Sequence, residues 1–136
     1  MKVDVLGRVP LEDIFTPGKI LSFYEHENPA QAITRIPDGD AEIFPVLNIE
    51  GVMTGMIGRD ALRTAALELH ALPLLVVGDL MTPPRYLQRG IDLHQALSIF
   101  LDSAATQLPV VDEALRPVGM VRMHDILREY DRRTRP

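Results

Sequence analysis

Chemistry-bearing side chains are few and scattered along this 136-residue chain. There is no cysteine, which excludes disulfides, thiolate catalysis and cysteine-ligated metal. The four histidines, His26, His70, His94 and His124, have neither the i, i+4 spacing nor the carboxylate cluster of a metal site, so no metal is expected. Ser22, Ser98 and Ser103 have no base at motif spacing, and nucleophilic catalysis finds no support. No catalytic residue is assigned, and the chain reads as a non-enzyme. Two carboxylates stand out by position instead. Asp60 and Asp125 each follow a glycine-bearing apolar run and open an amphipathic segment. A carboxylate there is stabilised by the exposed amides and the dipole of a helix start. Helix capping alone is one account of both; ligand contact at the helix start is the other. His124, next to Asp125, adds an imidazole that could meet a phosphate.

Composition narrows the partners. The net charge is −5, and the basic residues cluster only near the end, at Arg128, Arg132, Arg133 and Arg135. A nucleic-acid groove needs a basic face over much more of the chain, so no nucleic-acid partner is expected. The longest uninterrupted apolar run, Leu74 to Val77, is far short of the roughly 20 residues that span a bilayer. Met1-Lys-Val-Asp-Val has no signal-peptide core. These features predict a soluble, cytoplasmic polypeptide with a core of ordinary size, since 46% of the residues are hydrophobic and 24% charged.

The elements that must place Asp60 and Asp125 repeat. Residues 2–9 read as a short strand or extended arm, and Leu11–Phe15 as a helical turn ended by Thr16-Pro-Gly18. Ile20–Tyr24 is a short strand. Asn28 before Pro29 caps a helix through Ala30, Ala32, Ile33 and Ile36. Ile43–Ile49 and Val52–Ile57 form a hairpin across Glu50-Gly51, and Asp60 opens a helix through Leu62, Ala65, Ala66 and Leu69. Ala71–Val77 begins a second copy, in the part that Val5–Val9 plays in the first. Asp79-Leu-Met-Thr-Pro83 follows Asp13-Ile-Phe-Thr-Pro17 by 66 positions, and Asp125-Ile-Leu-Arg128 follows Asp60-Ala-Leu-Arg63 by 65. Pro109-Val110 and Gly119-Met120 follow Pro45-Val46 and Gly55-Met56 by 64. Motifs in one order at nearly one offset mark a tandem repeat. The predicted fold is α+β: two βαββα repeats, residues 1–70 and 71–136, each burying its open face against the other as one compact, pseudosymmetric module.

In its second half the chain, with Asp79-Leu-Met-Thr-Pro, Leu108-Pro-Val-Val-Asp112 and Val118-Gly-Met-Val-Arg-Met-His-Asp125-Ile-Leu, resembles the CBS domain. Phe44-Pro-Val-Leu, the glycine and Asp60-Ala-Leu extend the likeness into the first. A pair of CBS repeats, a Bateman module, implies regulation rather than catalysis. No cofactor is required, and the regulatory ligand would be adenosine-containing: ATP, ADP, AMP or S-adenosylmethionine. The stretch from Leu74 to Pro83, the Ala96–Leu101 helix and the ending after Asp125 look most like the C-terminal cytosolic region of bacterial ClC-type chloride channels and antiporters. That likeness implies a homodimer, a membrane transporter domain in the same chain or complex, and a place on the cytosolic face of a membrane. A stand-alone nucleotide sensor and a ligand-free dimerisation domain are the alternatives.

The resemblance also designates a site. Its signature is glycine, two apolar residues, a hydroxyl residue, two variable residues and an aspartate that holds the ribose. Gly119, Arg122 and Asp125 keep that spacing, with Arg122 in the hydroxyl position, and His124, Leu108 and Pro109 complete the expected site. The counterpart at Phe44, Pro45, Gly58 and Asp60 is weaker. Gly58 replaces the hydroxyl residue and Asp60 comes one position early, a rotation of roughly 100 degrees on a helix. The expected dimer face joins Ala61, Leu62, Ala65, Ala66 and Leu69 with Ile126, Leu127 and Tyr130.

Overall fold

The computed structural model describes residues 5–15, 17–39, 41–68 and 74–135. Its architecture is mixed α+β, with two sheets of three strands each. β1 (Phe23–Tyr24), α1 (Pro29–Thr34), β2 (Ile43–Leu47), β3 (Met53–Gly58) and α2 (Arg59–Leu67) are followed by α3 (Val77–Leu80). Then come β4 (Leu87–Gln88), α4 (Leu93–Ser103), β5 (Gln107–Val111), β6 (Pro117–Arg122) and α5 (Met123–Thr134). From β1 to α2, every element finds its counterpart beginning 64 residues later: Phe23 and Leu87, Pro29 and Leu93, Ile43 and Gln107, Met53 and Pro117, Arg59 and Met123.

The chain divides into two compact units that do not follow sequence order. Unit A holds Leu21–Arg85 and Leu115–Pro117; unit B holds Met1–Ile20, Tyr86–Ala114 and Val118–Pro136. In unit A, β1 runs parallel to β2, and β2 pairs antiparallel with β3, Phe44 opposite Ile57 and Val46 opposite Gly55. The hairpin turn is shaped by Asn48, whose Oδ1 accepts from Glu50 N at 2.9 Å and Val52 N at 3.1 Å. Gly51 there takes a φ of +82°, which glycine adopts without a Cβ clash. The unit's core is Phe23, Ala32, Phe44, Val46, Ile57, Leu62 and Val77, with the Phe23 and Phe44 rings edge to face at 5.6 Å. Asn28 caps α1 as expected, its Oδ1 accepting from Ala30 N at 2.8 Å.

Past α3 the chain lies along the outer edge of β3, where Met56 and Thr82 exchange both backbone hydrogen bonds, at 3.0 and 2.9 Å. This crossing explains Gly55. A Cβ there would stand 2.5 Å from Met81 Sδ and 2.9 Å from Thr82 O. The glycine of the sequence motif is therefore required, in this half, by close backbone approach.

Unit B repeats the plan, with β4 parallel to β5 and β6 beside β5. Asp92 and Gln95 form a reciprocal cap at the start of α4, with bonds of 2.8 and 3.0 Å. Its core joins Leu6, Val9, Leu11 and Phe15 to Leu87, Leu93, Ala96, Phe100, Leu108, Val110, Val121 and Ile126. Leu11 N donates to Ile91 O, Leu93 N to Val9 O and Gly18 N to Val118 O, each at 2.9 Å. The opening stretch of the first repeat thus completes the second repeat's sheet and core. That of the second, Val77–Thr82, does the same for the first.

Two expectations change. The arm, read as a short strand or extended segment, contains a 3-10 turn at Leu6–Arg8, which sends Leu6 and Val9 into the same core. The residues assigned to a dimer face divide as well. Leu62 and Ile126 are wholly buried within their own units and Ala65 nearly so, leaving Ala66 half-buried and Ala61, Leu127 and Tyr130 exposed. Leu69 and residues 71–73 lie outside the described residues.

Candidate functional site

The expected site residues fall at two strand-to-helix junctions, one in each unit. In unit B, β6 ends at Arg122, whose extended backbone (φ −100°, ψ 144°) leads into α5. Asp125, the third helical residue, accepts from Arg122 N at 3.4 Å, and its Oδ2 lies 3.7 Å from Arg122 Nε. The carboxylate therefore caps its own helix and is paired with the arginine. Side-chain exposures of 31% for Asp125 and 49% for Arg122 leave both within reach of solvent. His124 is exposed, its Nε2 3.2 Å from Arg128 Nη2 one turn along. Leu108 and Pro109 on β5 and Gly119 on β6 are buried beneath this junction, and Leu108 is a core residue. The structure brings all six residues into unit B, with the direct link between Arg122 and Asp125.

In unit A the same junction is built otherwise. Gly58 precedes α2 with extended backbone (φ −88°, ψ 156°) and offers no capping side chain. Asp60 is the second helical residue, pairs with Arg63 at 2.9 Å and is 85% exposed. An ion pair that open contributes about 0–1 kcal/mol. Phe44 is core, edge to face with Phe23, and Pro45 is buried beside it. Because α2 and α5 start 64 residues apart while the aspartates lie 65 apart, the slip seen in sequence is a real change of helix face.

Sequence reasoning passed over Arg59. Its guanidinium donates to Ala41 O at 2.7 Å (Nη2) and 3.1 Å (Nε), and to Gly39 O at 3.4 Å. With its side chain only 15% exposed, it holds the carbonyls of Pro37, Gly39 and Ala41 against the start of α2. The available signal was that the second copy places Met123 at the equivalent position, an apolar residue that packs on the unit B core.

A cavity of about 420 Å³ in unit A takes in Asp60, Ala61, Thr64, Glu68, Leu75 and Leu80. One of about 700 Å³ in unit B lies between Glu12, Arg89, Gly90, Asp112 and Glu113. Neither takes in the residues at the α5 opening. Farther along α5, hydrogen bonds from Arg132 and then Arg133 hold the Glu129 carboxyl below the usual carboxylate range, against the opposing effect of burial. Arg133 also lies 3.7 Å from Asp13, tying α5 to the arm. Among the described residues no cluster of three His, Asp or Glu could hold a metal ion. No described helix is long and apolar enough to cross a membrane.

With this geometry in place, residues 77–132 match the CBS domain family model. The whole fold is similar to solved CBS pairs. The CBS-pair protein CBSX2 from Arabidopsis thaliana matches with a TM-score of 0.74 at 21% identity, over 94% of this chain and 98% of that one. CBSX2 in complex with AMP matches with a TM-score of 0.71 at 24% identity, over 93% and 99%. The cytosolic domain of the Mg2+ channel MgtE in complex with ATP matches with a TM-score of 0.75 at 22% identity, over 89% of this chain and 48% of that one. At these identities the likeness establishes the fold.

Proposed function

We propose that the chain is a regulatory tandem CBS module with repeats at 1–70 and 71–136. On this reading it senses an adenosine-containing ligand at the opening of α5 and passes that state to a partner through a homodimer. The observation that carries the reading is the kept spacing of Gly119, Arg122 and Asp125 at a helix start, with the carboxylate partly open to solvent. AMP and ATP in similar folds support the ligand class. The role is regulatory rather than catalytic, on the cytosolic side of a membrane. A transporter is the favoured partner. The texture of Leu74–Pro83 and of Ala96–Leu101 points to a ClC-type chloride transporter, and the Mg2+ channel fold gives cation transport as the second reading.

Thermal melts with ATP, AMP and S-adenosylmethionine test the ligand. At a ligand concentration 100 times Kd, the native state gains about 2.7 kcal/mol and the melting temperature rises by several degrees. No shift with any of the three, and an Asp125→Ala variant that behaves like the parent with all of them, would sink the sensor reading.

A further inference from the structure

The two hairpin turns occupy the same place in the repeat and share an unusual backbone. Gly51 and Leu115 lie 64 residues apart, and both take the left-handed conformation, with φ of +82° and +59°. Glycine does so freely. A leucine there brings its Cβ against the following carbonyl oxygen, a strain comparable to the net worth of one hydrogen bond. Unit A holds Leu115 in that strained state. The turn between β5 and β6 begins in unit B with Asp112–Ala114, but Leu115–Pro117 belong with unit A. There Leu115 O accepts from Met53 N at 2.9 Å, and Arg116 Nη2 donates to Glu50 O at 3.0 Å. Pro117 holds the place of Met53 in the second repeat and has no N–H to give, so the second hold is a side chain.

We propose that residues 112–117 form a strained clasp, a two-state turn whose release frees Asp112–Ala114, one wall of the cavity of about 700 Å³ in unit B. Strain and holds oppose each other at similar size, one misfit residue against two hydrogen bonds, so an open minority accompanies the closed form. Asp112 Oδ1 accepts from Ala114 N at 2.9 Å, which makes the first half of the turn a small closed piece that moves with Leu115. Whatever fills the cavity and presses on these residues shifts the clasp, and by reciprocity a change at Met53 shifts the cavity wall. This device needs no ligand at the α5 opening.

Site-resolved amide exchange of the full chain tests the clasp. Met53 N–H reports the hold on Leu115, Ala114 N–H the cavity wall, and Met56 N–H, donated to Thr82 O, the opening common to unit A. In the parent, Met53 should exchange faster than Met56. Leu115→Gly should slow Met53 about fivefold relative to Met56, because it removes the strain. Leu115→Ala keeps the Cβ and loses the rest of the side chain, and should leave that ratio within about twofold of the parent. Arg116→Gln should speed Met53 and Ala114 together, by about fivefold. Equal Met53 exchange in the Gly and Ala variants would overturn the strain. Met53 and Met56 exchanging at one rate in the parent, or an Ala114 amide that stays still while Arg116→Gln releases Met53, would overturn the clasp.

Discussion

The β3–α2 and β6–α5 junctions are the same piece of backbone written twice, 64 residues apart, and they handle charge in opposite ways. At the first, the cation is drawn inward: Arg59 satisfies carbonyls of its own chain and is largely covered. At the second, Met123 takes that inner place and the cation moves out to Arg122, beside a carboxylate that is not fully exposed. A repeat can thus keep its hydrogen-bonded frame while one copy turns its arginine onto its own backbone and the other pairs it with a carboxylate. The frame is shared because Arg59 N and Met123 N donate to Glu42 O and Thr106 O, each at 2.9 Å.

The sharpest way to break the comparison is through the frame itself. Gly55→Val would drive a side chain into Met81 and Thr82 O, and should cost about 3 kcal/mol or more in urea denaturation. Gly58→Ser is its counterweight. A Cβ at Gly58 meets only Glu42 O at 3.6 Å, so this variant should stay within about 0.5 kcal/mol of the parent.

Arg59→Met makes the first junction resemble the second. The carbonyls of Ala41 and Gly39 lose their donor, and a loss of about 1–2 kcal/mol should appear, with faster amide exchange in the described residues of 37–42. Asp125→Ala removes a cap and an ion pair at once and should cost about 1 kcal/mol, whereas Asp60→Ala should be close to neutral, at most about 0.5 kcal/mol. Equal costs for the two aspartates would contradict the asymmetry.

The smallest effect is a matter of pH. Glu129 has a folded-state carboxyl pKa held below its unfolded value, so its contribution is present above the unfolded pKa and is lost as pH falls through the folded one. Stability measured from about pH 5 downward should therefore fall less steeply in Glu129→Gln than in the parent.

Much of this was legible in the sequence, for definite reasons. Turn chemistry at Asn28-Pro29 and Glu50-Gly51 acts locally, so the cap of α1 and the first hairpin could be placed from the residues alone. The repeat was visible because motifs kept their order, and its varying offsets of 64, 65 and 66 mark real slips at Asp60 and in the segment before β4. What stayed hidden was non-local. An apolar run such as Val5–Val9 announces burial without saying in which core, and the exchange of opening stretches follows from pairing partners some 80 to 100 residues away, as with Leu11 and Ile91 or Gly18 and Val118. A helical stripe is equally mute about its partner, which is why Leu62 and Ile126 looked like interface and are core. At the site, the spacing of Arg122 and Asp125 was readable, but their pairing was not.

The exchanged opening stretches also order events on the ribosome. Apart from residues 115–117, unit A is one continuous run ending at Arg85. Unit B instead needs Leu6–Phe15 to meet Val121 and Ile126. At synthesis rates of roughly 5–20 residues per second, the leading arm waits several seconds after unit A is nearly complete for its own partners to emerge. During that interval its leucines and phenylalanine have no core of their own, so the unit whose first residues are made first is the last to close.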